Sequence, residues 1–138
     1  MDTIELIDRE IDIPAYLSLV AAPDCGAVLS FLGNVRNEHH GRAVRHLEYS
    51  AYAPMAQAKM AQIASELVSR WPIRNVAIVH RLGRLEVGET SILIALALPH
   101  RREGFDALRY AIDTFKQVVP IWKKEHFADG TAAWVQGS

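Results

Sequence analysis

Arg36, His100, Arg101, Lys116 and Lys123 are the residues of this chain whose types and settings best suit chemistry. All are cations or potential cations, so they point to anion recognition and proton handling. Arg101 to Val119 reads as a helix, with Phe105, Leu108, Ile112, Phe115 and Val119 as its buried stripe. At helical spacing Arg101 projects into the centre of that stripe and Lys116 lies at its edge. A charge on an apolar side is unfavourable unless it is paired. Free backbone N–H groups and the helix dipole favour an anion beside His100 and Arg101. The pair therefore reads either as a phosphate or carboxylate site, or as a structural Arg101 ion pair with His100 at the helix entry.

The next segment is Pro120-Ile121-Trp122-Lys123-Lys124-Glu125. An aromatic beside two lysines marks either a binding surface or solvated lysines around a core tryptophan. A desolvated lysine has a lowered pKa and can serve as acid, base, nucleophile or point charge. The stretch Gly33-Asn34-Val35-Arg36-Asn37-Glu38-His39-His40-Gly41 reads as a loop. Its glycines let backbone approach a ligand, and Arg36 can grip an anion by paired hydrogen bonds. His39 and His40 are adjacent, and side chains of neighbouring residues on extended chain diverge. With no HExxH or CxxC, no metal site is expected, and no cofactor either. P-loop, dinucleotide and Gly-x-Ser-x-Gly signatures are also missing.

These residues need a scaffold. The 138 residues suit one domain, 1–138, with 50% hydrophobic and 22% charged residues and a net charge of -1. That charge gives no reason to expect nucleic acid or an anionic membrane as partner. The lone Cys25 excludes an internal disulfide and reads as a buried structural thiol. Without a basic, apolar leader or a long apolar run, a cytoplasmic location is expected. Helices are expected at Ile13 to Ala22, Pro54 to Trp71 and Arg101 to Val119. Strands are expected at Thr3 to Ile7, Gly26 to Val35, Val44 to Tyr52, Asn75 to Val87 and Thr90 to Leu98, the last apolar throughout and hence covered on both faces. On the third strand Leu47, Tyr49 and Ala51 face one way, and His46, Glu48 and Ser50 the other. The tail from Ile121 to Gln136 reads as irregular, with a short strand around Ala133 to Val135. The order argues for an α+β fold with a largely antiparallel sheet.

Taken together, the motifs resemble a known family. Phe31-Leu32-Gly33-Asn34-Val35-Arg36-Asn37, Gly41, Leu47-Glu48-Tyr49-Ser50-Ala51-Tyr52 and Met55-Ala56 form the first block of likeness. His80-Arg81-Leu82-Gly83, Leu85 and Gly88 form the second. His100-Arg101, Phe105, Asp113, Lys116, Pro120 through Glu125, Gly130 and Trp134 form the third. In this order and spacing they resemble the large, catalytic subunits of molybdopterin synthase, the MoaE family. The resemblance implies an α/β hammerhead fold with a small added β subdomain. It also implies a homodimer at the centre of a heterotetramer. The partner would be a small ubiquitin-like subunit, MoaD-like, ending in a Gly-Gly thiocarboxylate.

The substrate implied is cyclic pyranopterin monophosphate (precursor Z), converted by two sulfur transfers into the dithiolene of molybdopterin. Carried over by position, substrate binding falls on Asn34, Val35, Arg36, His100, Arg101, Lys116, Lys123, Lys124 and Glu125, with Lys116 and Lys123 catalytic. Some family members extend past the last tryptophan with a charged tail. This chain ends Val135-Gln136-Gly137-Ser138, so a tail contribution is not carried over. Two other readings compete: a noncatalytic module gripping a ubiquitin-like tail, and a metal-dependent hydrolase using the histidines. The former does not need the five cationic positions together, and the latter lacks a metal motif.

Overall fold

The computed structural model describes residues 1–137. Strand β7 (Thr90–Leu98) lies inside a four-stranded sheet of order β1-β5-β7-β2, where β1 is Asp2–Ile7, β5 is Asn75–Arg81 and β2 is Ala27–Asn34. β7 is antiparallel to both neighbours, and β1 runs parallel to β5. From Ser91 to Leu98 every residue of β7 is buried. The alternation of side chains sends Leu93, Ala95 and Ala97 to one face and Ile92, Ile94, Leu96 and Leu98 to the other.

Each face has its own helical cover. Helix α1 (Ile13–Val20) packs over the small side chains, with Ala77 and Val79 of β5 beside them. Asp12 caps it as expected, its carboxylate accepting from the Ala15 N–H at 3.2 Å. Helices α2 (Ala53–Arg70) and α3 (Gly104–Val118) cover the larger face. On α2 the buried Ala56, Met60, Ile63, Ala64 and Leu67 keep the expected spacing, and Pro72 follows its end. None of the described helices is long and apolar enough to cross a membrane.

α3 departs from expectation at its start. Residues 101–103 form a turn, and the helix begins at Gly104. Its buried face is Gly104, Ala107, Ala111 and Phe115, while Phe105 is 60% exposed. The close approach explains the rotation. A Cβ on Gly104 would lie 2.9 Å from a Leu29 methyl and 3.1 Å from one of Leu98. Small residues let this helix sit low on the sheet, and Arg101 is an exposed turn residue outside the helix.

The chain then builds a second sheet. The expected strand from Asn75 to Val87 breaks at Leu82-Gly83: the Leu82 N–H closes onto Ile7 C=O at 2.7 Å, and Gly83 has φ 92°. Beyond it β6 (Gly83–Glu86) joins β4 (Arg42–Ala51). On its other side β4 pairs with β8 (Ile121–Phe127), which pairs with β9 (Ala132–Gln136). The tail expected to be irregular is thus a hairpin. A short β3 (Glu38–His39) folds onto the start of β4 through His40 (φ 51°) and Gly41 (φ 78°). The α+β class, largely antiparallel with an added β subdomain, is the architecture observed.

His80, on β5, is the fully buried titratable group where the two sheets meet. Its ring stacks on Phe115 at 5.8 Å and meets Tyr49 edge-on at 4.9 Å. Nδ1 donates to Arg81 C=O at 2.8 Å. Burial pulls its pKa from 6.5 to about 4, the Arg81 carbonyl opposes the shift, and Lys116 adds to it. Folded His80 is neutral, whereas unfolded His80 takes a proton below about pH 6.5. Its contribution is complete above that pH and falls as pH drops toward 4. Urea unfolding at pH 7 and pH 4.5 should show wild type losing about 2–3 kcal/mol more than His80→Leu. Equal losses would place the acid sensitivity elsewhere.

Candidate active site

β8 brings the lysine-rich segment onto the second sheet with alternating facing. Lys123 and Glu125 point to one side, opposite Tyr49 and Leu47 of β4 in the register. There they line a cavity of about 270 Å³ together with Asn34, Val35, Arg36, His39 and Lys116. Each arrives by a different route. Asn34 ends β2 at a bulge, where Oδ1 accepts from the Thr90 hydroxyl at 2.7 Å. Gly33 precedes it because a Cβ there would sit 2.6 Å from Ile92 Cγ2. Val35 is buried and doubly tied: its N–H donates to Glu89 C=O at 2.9 Å, and its C=O accepts from Gly88 at 2.8 Å. This anchors the loop that carries Arg36. Lys116 comes from the last turn of α3, and Pro120 turns the chain so that Lys123 follows.

The electrostatics favour an anion. Glu125 is 3% exposed, and His39 Nδ1 meets its carboxylate at 2.7 Å. Arg36, Lys116 and Lys123 share the same walls. Lys123 is half-buried, and desolvation lowers its pKa; Glu125 opposes that shift, while Lys116 and Arg36 reinforce it. A lysine so placed reaches its neutral form more readily than an exposed one and can accept or return a proton. Arg36 keeps its charge throughout and can fork onto a phosphate.

The remaining expected residues lie elsewhere. Lys124 points to the opposite face of β8, with its ammonium 5.8 Å from the ring centre of Trp134. His100 and Arg101 line a separate, open cavity of about 800 Å³ with Gly26, Ala27, Glu103 and Phe105. That cavity adjoins the first residues of β2, and the Lys123 cavity adjoins its last. Seven residue steps of strand put them about 23 Å apart. Cys25 is only partly buried rather than sealed in the core as expected, and desolvation with the neighbouring Asp24 raises its pKa. His39, Tyr49 and Ser91 line the lysine cavity without having been singled out as site residues. The alternation of β4 already placed Tyr49 with Leu47, but only tertiary structure shows which face carries the site.

Comparison with known proteins decides the family. A sequence model of the MoaE protein matches residues 6–118. The chain belongs to the MoaE family. A molybdopterin synthase catalytic subunit from Halalkalibacterium halodurans is 44% identical over 94% of this chain and 83% of its own length. One from Nostoc is 53% identical over 80% of this chain and 67% of its own. The crystal structure of molybdopterin synthase from Staphylococcus aureus contains a chain that superposes with a TM-score of 0.91 at 39% identity, covering 98% of both. At the level of the MoaE family, the chain is an enzyme subunit of molybdenum cofactor biosynthesis.

The titration of Lys123 is open to direct measurement. In NMR titrations its side-chain amine should lose its proton below the ordinary lysine range. Lys116→Met should move the midpoint up by removing a like charge, and Glu125→Gln should move it down by removing an opposite one. Unchanged midpoints in both variants would show that these charges do not act on Lys123.

Proposed function

We propose that this chain transfers sulfur from the C-terminal thiocarboxylate of a small ubiquitin-like subunit to cyclic pyranopterin monophosphate, making the dithiolene of molybdopterin in two transfers. The observation that carries this reading is the convergence of Arg36, Lys116 and Lys123 on one cavity, with Lys123 partly desolvated. Such a site suits an anionic substrate and an anionic sulfur donor together. Arg36 holds the substrate phosphate. Lys116 stabilises negative charge as the thiocarboxylate sulfur bonds to a substrate carbon, the oxygen group on that carbon leaves, and water hydrolyses the acyl–sulfur bond to leave a carboxylate on the small subunit. Lys123 exchanges the proton needed when the phosphate ring opens. Fixing both partners in one cavity supplies part of the rate, because positioning removes the entropy of encounter. The chain acts as a single domain, 1–138, in the cytoplasm, without a resident cofactor.

The family resemblance assigns His100 and Arg101 to the same substrate, yet their cavity adjoins the start of β2 and the lysine cavity adjoins its end, about 23 Å along the strand. A homodimer reconciles the two. His100 and Arg101 of one copy complete the cavity of the other, and the dimer forms the centre of a heterotetramer with two small subunits.

Single-turnover conversion of the pterin by wild type plus thiocarboxylated small subunit should give dithiolene product. Lys116→Ala and Lys123→Ala should fold, bind the small subunit and give little or none. Near-normal product from either variant would remove that lysine from the mechanism. Mixed dimers of Lys116→Ala and Arg101→Ala chains test the composite site. They should regain turnover, since one of the two sites is then intact. If the clusters acted within one chain, no recovery would occur.

A further inference from the structure

The back of the second sheet carries a group of side chains that the proposed reaction does not use. His46 and His126 are directly opposite in the β4–β8 register, and Glu48 follows His46 two residues along β4 on the same face. The imidazoles stack at 4.1 Å between centres, with 17° between planes. Glu48 Oε1 lies 3.1 Å from His126 Nε2 and 3.9 Å from His46 Nε2. All three donor atoms lie within 4.8 Å of one another. Buried His126 Nε2, though near the carboxylate, has no hydrogen-bond partner, and neither does buried His46 Nδ1.

These distances approach those around an ion, and rotation of the partly exposed His126 ring out of its near-parallel stack turns both in-plane lone pairs toward one point. Ligand atoms about 2.0–2.1 Å from a tetrahedral metal are about 3.3–3.4 Å from each other. The Glu48–His126 separation is already close to that, and Glu48, half-exposed, can swing toward His46. His46 is held by burial, so part of the site is pre-ordered. Burial, Arg84 and His126 each lower the His46 pKa in the same sense. The nearby Arg84 is occupied by Glu86 at 2.7 Å. Imidazole with carboxylate selects a borderline transition ion over calcium or magnesium.

We propose that His46, Glu48 and His126 bind one divalent transition-metal ion of the zinc class, with remaining positions open to solvent. The ion would clamp β4 to β8 from behind. The front faces of these strands carry Tyr49 and Lys123 into the cavity, so the clamp would act on the strand pair that holds the lysine.

The test uses the full chain freed of metal with EDTA and titrated with Zn²⁺ in a calorimeter. One equivalent should bind and raise the melting temperature with the logarithm of free metal above the dissociation constant. His46→Asn and His126→Asn should each weaken binding by at least about 100-fold, since losing a mere supporting partner costs about 10–100-fold. Glu48→Gln, a conservative change at a half-exposed site, should also weaken binding and guards against a misfolded histidine variant. A His40→Asn variant should bind as wild type does. Cu²⁺ in the same site should show two imidazole nitrogens by electron paramagnetic resonance. No stoichiometric binding would overturn the proposal. So would wild-type affinity in natively folded His46 and His126 variants, or loss of binding in the His40 variant.

Discussion

β7 has no face toward water, and most of the architecture answers to that. A strand buried on both sides needs a layer on each. The two layers are unequal because the side chains are. Ala95 and Ala97, with Ala77 beside them, leave room only for a short helix lying close, and α1 has eight residues. Ile92, Ile94, Leu96 and Leu98 need more cover, and α2 with α3 supplies it. Once both faces are closed, further strands must leave the first sheet. Gly83 provides the exit, and the second sheet begins there. The cavity lies where the two sheets meet, bounded by the end of β2, the end of α3 and the front of β4 and β8.

The charge arrangement follows from that position. Lys123 is lifted partly out of water by neighbours that the fold brings together, and Glu125 beneath it is nearly sealed. A buried carboxylate needs a partner, and His39 fills that role from a hairpin far away in sequence. The site thus combines a permanent cation at Arg36, a desolvated amine and a fixed acid–imidazole pair within one small space.

What the sequence revealed and what it hid follow the same physics. α1, α2 and β7 were legible because their patterns reflect burial alone: Asp12 caps, Met60 through Leu67 repeat at helical spacing, and β7 is unbroken apolar chain. β8 was not legible. Ile121 to Phe127 looks too polar for a strand because Lys123 and Glu125 occupy inward positions that would ordinarily be apolar. The start of α3 was misplaced because Phe105 and Leu108 outweighed Gly104, Ala107 and Ala111 as hydrophobic signals. Small residues mark close packing more faintly than large ones mark burial. The location of Arg101, at the other end of β2 from the lysines, is a tertiary fact that no local pattern carries.

Pro120 has a consequence for how the site comes into being. Lys116 and Lys123 belong to one short helix–turn–strand stretch, so their spacing depends on local chain geometry. Arg36 and His39 reach them only through contacts of high sequence separation, which carry a larger loop-closure entropy. The two halves of the cavity therefore differ in contact order. Opening of the segment from residue 36 to residue 43 breaks the His39–Glu125 pair but leaves buried Val35, its two backbone hydrogen bonds and the lysine pair in place. Access to the cavity and integrity of its amines would then be governed by separate cooperative units.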